Sequence, residues 1–484
     1  RIPLKSTPHI QHGNALRVDW NDVLPAQRCS YVLGNPPFLG YSYQSKEQKA
    51  DLAGVMQGIH GAGVLDFVCG WYILAARYLQ GSNTRAAFVS TNSITQGEHV
   101  AVLWGEMQRL GMHIHFAHRT FQWSNEAKGN AAVHCVIVGF GADNPNNKTI
   151  YEYEDIKGLP LAVPVKNINP YLIDAPTVFL PKRRDPICHV PPMSKGSQPT
   201  DGGNLLMDDA EKATLLAVEP QAAKWIRSFL GAEEFINHTA RWCLWLVDCP
   251  PNELRALPEV MKRVQAVKAM RLASTKAATV ELASSPAHFG EMRQPKTNYL
   301  LVPRVSSEKR AYVPIGFISH STIASDATLI IPSASLFHFG VMTSAMHNAF
   351  MRFTCGRLKS DFRYSNTIVY NNYPWPGFAG EALSDKHRTA IEQAAQCVLD
   401  ARAQFAGASL ADLYDPLTMP SALLKAHQKL DAAVDAAYQP SGGKKSYASD
   451  AERVAFLFEL YQRITSLLAA PATKKTQKTK AAES

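Results

Sequence analysis

The sequence predicts an α/β protein that begins with part of an open sheet, continues into a mixed α+β domain and ends in a helical domain. Three observations support this prediction. Apolar runs of strand length alternate with helical periodicity over residues 1–150. From about 210 to 375, helical and strand-like segments mix without a strand–helix–strand rhythm. Residues 380–470 are almost entirely helical in pattern, and each helix opens on a Ser or Pro-Ser start signal.

The elements of the first region follow one another as such a sheet requires. "LDFVCGWYILAARYLQ" (65–80) has apolar residues at helical spacing, and "RAAFVST" (85–91) has the length and composition of a strand. "AVLWGEMQRLG" (101–111) predicts a helix that ends at glycine. "MHIHFAHRT" (112–120) and "AAVHCVIVGF" (131–140) predict two strands joined by a polar loop.

Turn-forming residues and prolines give the predicted domain boundaries. "GADNPNNKT" (141–149) predicts the edge of the first domain. "YLIDAPTVFLPKRRDP" (171–186) predicts a crossover that carries a basic cluster at Lys182, Arg183 and Arg184. The predicted segments are a first domain, a linker, a second domain, a helical domain and a basic flexible tail, at residues 1–150, 151–175, 176–377, 378–470 and 471–484.

Length, charge and cysteine content narrow the class of protein. The chain has 484 residues, too many for one core, and a net charge of +9. This charge favours a polyanionic partner, although a basic surface without a partner predicts the same excess. The eight cysteines show no CxxC spacing, as expected for reduced thiols in the cytoplasm. No apolar run in the sequence is long enough to span a bilayer, and no metal is predicted.

The stretch "YVLGNPPFLG" (31–40) carries the candidate catalytic site. Residues 31–33 predict the end of a buried strand, and the two consecutive prolines exclude a helix or a central strand after it. In open α/β sheets, ligands bind at the carboxyl ends of the strands. The residues predicted to form a rigid extended turn at this edge are Asn35, Pro36, Pro37 and Phe38.

This turn offers groups that suit the exocyclic amine of a nucleobase. Asn35 has a side-chain carbonyl and Pro36 a backbone carbonyl of fixed direction, so both N–H protons of such an amine can be accepted. Accepting both protons pulls the nitrogen towards tetrahedral geometry and frees its lone pair to attack an activated methyl group. Phe38 offers a ring on which a base stacks, a contact worth ~1–3 kcal/mol. The competing interpretation is a Pro-Pro turn that only caps the strand.

The motif and its neighbours resemble the amino-methylating DNA methyltransferases, which use S-adenosylmethionine. "HIQHGNALRVDW" (9–20) resembles their strand and polar residue beside the cofactor's adenine. The resemblance implies that Asn14 and Asn35 contact the cofactor, although an Asx turn explains Asn14 equally well. "TFQWSNEAKGNAAVHCVIVGF" resembles the motif that places a second aromatic ring against a flipped base. Phe121 and Trp123 are the alternatives for that ring, and either also fits a core.

"CGRLKSDFRYSNTIVYNNYPWP" (355–376) and the helical segment after it resemble MmeI-like type IIL restriction–modification proteins. In that family a nuclease and a helical spacer precede a Rossmann-like methyltransferase domain, and a target recognition domain and a helical domain follow it. The resemblance covers nearly the whole chain. It implies a partial methyltransferase sheet, adenine N6 as the target and double-stranded DNA as the partner. The family's nuclease and its glycine-rich cofactor loop would lie before Arg1.

Polar residues of the second domain are candidates for contacts with DNA. "NYLLVPRVSSEKRAYVPIGF" (298–317) predicts an exposed hairpin, and Arg, Lys and Glu read guanine and cytosine edges. The polar stretch 357–364 is predicted to contact phosphates. A solvated polar surface is an equal alternative for any single residue. The candidates are Arg304, Ser306, Ser307, Glu308, Lys309, Arg310 and Tyr312 in the hairpin, and Arg357, Lys359, Arg363 and Tyr364 in the second stretch.

Two other functions stay open on the sequence. Without the glycine-rich loop, the chain would be a DNA-binding specificity module that lacks catalysis. The Asn-Pro-Pro-Phe motif also serves methyltransferases of protein glutamine amides or RNA amines. Those enzymes seldom carry so long an extension after the catalytic domain.

Overall fold

Three regions follow one another in the computed structural model of the chain, which describes residues 8–123, 133–378 and 382–468. The first is an open sheet with helices, the second mixes short strands and helices, and the third is helical. The predicted fold class is confirmed.

The first region is built on a six-stranded sheet. Its strands are β1 (Tyr31–Gly34), β2 (Arg85–Thr91), β3 (His113–Trp123), β4 (Val133–Gly141), β5 (Lys148–Glu152) and β6 (Leu161–Val165). Its helices are α1 (Trp20–Val23), α2 (Lys46–Val55), α3 (Cys69–Tyr78), α4 (Gly97–His99) and α5 (Gly105–Arg109). The strand order is β1-β2-β4-β3-β5-β6. β1 and β2 are parallel, and β4 runs antiparallel to both β2 and β3. The carboxyl ends of β1, β2 and β3 therefore lie at the same edge.

α3 packs against this sheet through an aromatic cluster. The ring of Tyr72 lies 5.3 Å from that of Phe88 on β2 and 5.4 Å from that of Phe140 on β4. Its hydroxyl forms a 2.8 Å hydrogen bond with the hydroxyl of Ser90. Apolar residues at helical spacing on α3 and alternate apolar residues on β2 build this contact, so the two sequence patterns are complementary.

Two expectations for the start of the chain are wrong. Residues 31–33 do not end a buried strand, because Tyr31 and Leu33 are 67% and 75% exposed. β1 is the edge strand of the described sheet, so no neighbour covers its outer side. Residues 8–13, which resemble a strand in sequence, form none here, and the chain turns at Asn14 instead.

The six-stranded sheet extends past the predicted edge of the first domain. The sheet continues past the turn-rich segment 141–149, because β5 pairs in parallel with β3 and β6 pairs antiparallel with β5. Residues 151–165 therefore belong to the sheet and not to a linker. The crossover 171–186 is packed rather than free, since Tyr171, Leu172 and Leu180 are buried. β5 and β6 are short strands, and the prolines and glycines around them hide their strand pattern in the sequence.

The second region contains three small sheets. Its strands are β7 (Ser194–Lys195), β8 (Leu206–Met207), β9 (Ile226–Leu230), β10 (Trp242–Leu244), β11 (Tyr299–Pro303), β12 (Val305–Ser306), β13 (Gly316–Ile318), β14 (Ile323–Ala324), β15 (Thr328–Pro332), β16 (Gly356–Leu358) and β17 (Asp361–Arg363). Its helices are α6 (Asp209–Val218), α7 (Ala232–Asn237), α8 (Pro251–Arg255), α9 (Pro258–Leu272), α10 (Ala277–Glu281), α11 (Leu336–Thr343) and α12 (Ala345–Thr354). The strand orders are β14-β9-β10-β8, β13-β11-β15-β7 and β12-β17-β16.

The second region divides into two lobes with different cores. One lobe has its own cluster of buried residues, from Leu205 to Ile323, around β9, β10 and α9. Arg271 at the end of α9 is fully buried and donates five hydrogen bonds to backbone carbonyls, two of them to those of Pro199 and Thr200. The other lobe, around β11 and β15, shares one continuous core with the first and third regions.

The third region consists of the helices α13 (Asp385–Ala403), α14 (Leu410–Leu413), α15 (Ser421–Tyr438) and α16 (Asp450–Leu468). The three long helices lie where the sequence predicts them. Tyr171 packs against Phe458 on α16, with ring centroids 5.0 Å apart, so the end of the first region contacts the helical region. None of the helices within residues 8–123, 133–378 and 382–468 combines the length and the apolar composition of a membrane span.

Candidate active site and nucleic-acid interface

The four residues after β1, Asn35–Phe38, form an extended corner at the carboxyl edge of the sheet; we call them the Asn-Pro corner. Asn35 and Pro37 are exposed, Pro36 is buried, and Phe38 packs partly against the core. Within the described residues, the side-chain amide of Asn35 makes no hydrogen bond. The corner therefore presents an amide oxygen and part of an aromatic ring to solvent, with its backbone fixed by two prolines.

A buried carboxylate binds the backbone of the residue that follows this corner. Oδ1 of Asp66 accepts hydrogen bonds from the backbone N–H of Leu39 at 3.0 Å and of Val68 at 3.2 Å. The N–H of Phe67 donates to the carbonyl of Leu39 at 3.0 Å, and Gln44 Nε2 donates to the same carbonyl at 2.9 Å. Both hydrogen-bonding groups of the Leu39 backbone are thus satisfied by the segment before α3.

Burial and hydrogen bonding act in opposite directions on the pKa of Asp66. Desolvation raises this pKa, and the backbone N–H groups of Leu39, Val68 and Phe67 partly offset the rise. The carboxylate acts as an anchor for backbone amides and has no cationic side chain as a hydrogen-bond partner in the described residues.

His99, at the end of α4, completes the support. Its Nε2 accepts the backbone N–H of Asp66 at 3.1 Å. Burial lowers the pKa of His99 to about 4, so the ring is neutral at physiological pH and keeps an acceptor nitrogen.

Asp66, Gln44 and His99 are the site residues that the sequence analysis missed. They are 22 to 55 residues apart in sequence, so no local pattern places them together. The one available signal was an acidic residue at the start of an otherwise apolar helical segment, "LDFVCGW".

A cleft of about 700 Å³ separates the carboxyl edge of the sheet from the second region. Its first side consists of Val64, Thr91, Asn92, Ser93, Gln96, Gly97, Glu98 and His99. Its second side consists of Lys182, Lys195, Arg304, Leu329, Gly356, Arg357, Lys359, Arg363 and residues 364–368. Six of these residues are Lys or Arg and one is an acid, so the cleft favours an anionic ligand. Asn35 and Phe38 do not line it.

Five predicted DNA-contacting residues line this cleft, Tyr364 and four cations; the cations Arg304, Arg357, Lys359 and Arg363 are here called the basic wall. Arg304 follows β11, and the other three lie in the hairpin of β16 and β17. Lys359 and Arg363 are exposed, and within the described residues neither side chain forms an ion pair.

The other two members of the wall are held by protein groups. Arg304 donates to the carbonyl of Asp326 at 2.8 Å. Burial lowers its pKa, and the nearby Arg363 lowers it further. Arg357 pairs with Glu308 at 3.0 Å and donates to the carbonyl of Ser360 at 2.6 Å. Glu308 and Arg357 were predicted as separate DNA contacts, and the structure pairs them with each other.

Residues 298–317 form the predicted strand pair, but the prediction that this hairpin is exposed is wrong. β11 and β13 do pair, but β11 is buried throughout. Ser306 and Tyr312 are only 4% and 7% exposed. Ser306 lies in β12, which pairs with β17, and Tyr312 donates to Asp431 on α15 at 2.6 Å. The polar residues between β11 and β13 contact the hairpin of β16 and β17 and the helical region, a non-local arrangement that polarity alone does not predict.

The remaining candidates for DNA contacts differ in how far they are buried. Burial lowers the pKa of Arg310, and Asp361 and Asp415 oppose this change. Tyr364 is buried, and its hydroxyl forms a 2.9 Å hydrogen bond with Nε2 of His347. Ser307 is partly buried and Lys309 is exposed.

The candidate base-stacking residues lie on β3. The ring of Phe121 stacks on that of Tyr153 with centroids 5.4 Å apart, and the ring of His118 lies edge-on to it at 6.3 Å. Phe121 is partly exposed. Trp123 belongs to the same strand, but its side chain lies outside the described residues.

Asn14 forms the Asx turn that the sequence analysis gave as its alternative role. Its Oδ1 accepts the N–H of Leu16 at 3.0 Å, and its Nδ2 donates to Asp51 at 2.8 Å. Arg17 binds the same carboxylate, at 2.7 Å from Oδ1. A cofactor contact by Asn14 must therefore compete with these partners or use the exposed remainder of the side chain.

No cluster of three or more His, Cys, Asp or Glu side chains that could hold a metal ion occurs in the ranges 8–123, 133–378 and 382–468. The acceptors at the Asn-Pro corner are neutral oxygens, which fit the N–H groups of an amine better than they fit a cation.

Comparison with known proteins identifies three consecutive family models in the chain. Residues 1–152 match the MmeI DNA-methyltransferase domain, 174–377 the MmeI target recognition domain and 383–469 the MmeI C-terminal domain. The chain is 39% identical over 468 residues to DNA methyltransferase A of Bacillus subtilis (strain 168), covering 96% of this chain and 51% of that protein. It is 52% identical to the type IIL restriction–modification enzyme MmeI solved in complex with DNA, with a TM-score of 0.87. That match covers 96% of this chain and 61% of the MmeI chain, so the present chain spans about half to three fifths of these relatives.

Proposed function

Because the chain belongs to the MmeI family of DNA methyltransferases, we propose that it carries the part of a site-specific DNA adenine-N6 methyltransferase that holds the target base and reads the sequence. S-adenosylmethionine is the proposed methyl donor and double-stranded DNA the proposed substrate, in the cytoplasm. The proposed recognition domain covers about residues 176–377. The observation that carries the proposal is the exposed amide of Asn35, which makes no hydrogen bond within the described residues and lies at the carboxyl edge of the sheet, the edge that also borders the basic cleft.

The Asn-Pro corner supplies the groups that activate an amine. The carbonyl of Asn35 and the backbone carbonyl of Pro36 accept the two N–H protons of adenine N6, and this raises the electron density on the nitrogen. S-adenosylmethionine supplies, when bound, a methyl group made electrophilic by a sulfonium centre. The N6 lone pair forms the new N–C bond as the S–C bond breaks, and the nitrogen then loses one proton to solvent. In this proposal, Asn35 contacts both the target amine and the methyl donor.

Phe38 and the aromatic residues of β3 hold the base outside the duplex. An adenine inside the helix cannot reach the corner, so it must leave the stack. Phe38 stacks on one face of the flipped base, and Phe121 or Trp123 is the candidate for the other face. Both candidates on β3 stay open, because Phe121 already stacks on Tyr153.

The basic wall binds the DNA backbone. Lys359 and Arg363 are exposed and unpaired in the described part of the chain, which suits contacts to phosphate. Arg304, Ser306, Glu308, Arg310 and Arg357 stay candidates for DNA reading, but each needs a rearrangement of its present contacts or its burial.

Methyl transfer from tritiated S-adenosylmethionine tests the proposal, with the protein as it is encoded, including any residues before Arg1. We expect label in DNA, recovered as N6-methyladenine after digestion to nucleosides. Asn35→Ala should lower the rate by about 10²–10³-fold, the usual loss on removing one transition-state hydrogen bond. Its melting temperature should not change, since the side chain is exposed. Label in protein or RNA, or an unchanged rate in Asn35→Ala, would contradict the proposal; DNA binding without transfer would identify a specificity module.

A further inference from the structure

The short turn α4 contacts the second region with its backbone. Gly97 has a φ of +58°, a conformation that side chains disfavour. A Cβ atom added at Gly97 would lie 3.4 Å from the Cα and N atoms of Gly356. Gly356 begins β16, the strand that carries Arg357 of the basic wall. The backbone of the first region at Gly97 therefore lies close to that of the DNA-reading hairpin at Gly356.

An ion pair joins the same turn to the second region at another point. Glu98 and Lys182 are 3.1 Å apart, and both are partly exposed. Such a pair contributes little stability by itself. It does fix a second point of contact, so the turn is attached to the second region at two consecutive residues, Gly97 and Glu98.

The next residue of the turn attaches to the Asn-Pro corner. His99 accepts the backbone N–H of Asp66, and Asp66 in turn accepts the N–H of Leu39, the residue after Phe38. Gly356, Gly97, His99, Asp66 and Leu39 thus form a continuous series of contacts from the basic wall to the corner. The two hydrogen bonds of the series join side chains to backbone N–H groups, so they fix the position of the backbone itself.

We propose that this turn holds the DNA-reading hairpin and the Asn-Pro corner in a fixed register, and that His99 is a positioning residue for methyl transfer. The inference rests on the proposed function and names a role outside the groups that touch the base. DNA bound on the wall then delivers one nucleotide to the corner, at a distance set by the turn. Loss of the His99 acceptor leaves the N–H of Asp66 unpaired and loosens the backbone that carries Asn35.

The test compares His99→Leu, which removes the acceptor, with His99→Gln, which keeps an oxygen acceptor on a flexible side chain. His60→Leu is the matched control, because His60 is exposed, precedes the same corner support and makes no side-chain hydrogen bond in the described residues. Each variant of the encoded protein is assayed for single-turnover methylation, DNA affinity and melting temperature. A 2-aminopurine at the target position reports base flipping by its fluorescence.

We expect His99→Leu to slow methyl transfer by about 10- to 100-fold, with DNA affinity and the flipping signal close to those of the wild type. His99→Gln should recover most of the rate, and His60→Leu should match the wild type. A rate in His99→Leu equal to the wild type would overturn the inference. So would a loss of DNA affinity in proportion to rate, which indicates a general structural role. If His99→Leu does not fold, failure of folded His99→Gln to exceed one tenth of the wild-type rate also overturns it. A wild-type protein without methylation activity would instead contradict the proposed function.

Discussion

The Asn-Pro corner and the basic wall are built in different ways, and only the wall lines the basic cleft. The corner consists of four consecutive residues that include two prolines, and the carboxylate of Asp66 holds the backbone of the next residue, Leu39. The wall combines Arg304 with residues more than 50 positions later, and carbonyls or ion pairs hold half of its cations. A site made of consecutive residues can be recognised in a sequence, whereas a surface assembled from distant strands cannot. Mutations in the two regions should therefore change different measured properties of the protein.

The largest effect is expected at the support of the corner. Asp66→Ala leaves the N–H groups of Leu39 and Val68 without their acceptor, and each such loss costs about 1–3 kcal/mol. We expect the free energy of unfolding to fall by at least 2 kcal/mol, as measured by urea denaturation. Asp66→Asn, which keeps the accepting oxygen, should lose less.

Asp248→Ala is the control for this prediction, since Asp248 is exposed and makes no side-chain hydrogen bond in the described residues. Its stability should change by no more than about 0.5 kcal/mol. If Asp66→Ala were as stable as this control, the corner would not depend on the buried carboxylate, and its rigidity would come from the prolines alone.

A smaller effect is expected for the ring of the corner. Phe38→Ala removes the stacking surface for the flipped base, worth about 1–3 kcal/mol. The apparent affinity for DNA with an abasic site opposite the target base should fall about 5- to 150-fold, measured by fluorescence anisotropy. Phe38→Trp should keep most of the affinity. Tyr43→Ala, an exposed aromatic in the same loop, serves as the control. Equal losses in Phe38→Ala and Tyr43→Ala would exclude a specific stacking role for Phe38.

The smallest effect is expected at the wall. Arg363→Ala should reduce the slope of log Kd against log salt concentration by about 0.9, the value for one phosphate contact. The methylation rate at saturating DNA should stay the same, in contrast to Asn35→Ala. Lys386→Ala on α13, an exposed cation outside the cleft, should leave the slope unchanged. A lower rate at saturating DNA in Arg363→Ala would mean that wall and corner do not have separate roles.

The sequence predicted the fold class and the long elements because periodic patterns of apolar residues are local. α3, β2 and the three long C-terminal helices lie where their patterns place them. The extended turn at Asn35–Phe38 was predicted because proline restricts its own backbone, whatever surrounds it.

Features that depend on distant partners were not predicted. Tyr312 looked exposed in sequence because its neighbours are charged, yet its hydroxyl binds Asp431, more than 100 residues away. The sequence places the segments of β5 and β6 in a domain edge and a linker, because it does not show that β5 pairs with β3 or that β6 pairs with β5. The contact of His99 with Asp66 joins two segments 33 residues apart, and neither segment carries a mark of the other.

The most direct test of the central claim is a structure of the encoded protein with target DNA and a non-reactive analogue of S-adenosylmethionine. We predict that the exocyclic nitrogen of one flipped base lies about 2.7–3.2 Å from both Oδ1 of Asn35 and the carbonyl oxygen of Pro36, with its ring against Phe38. A base that stays in the duplex, or that binds at another site while the amide of Asn35 faces solvent, would contradict the account.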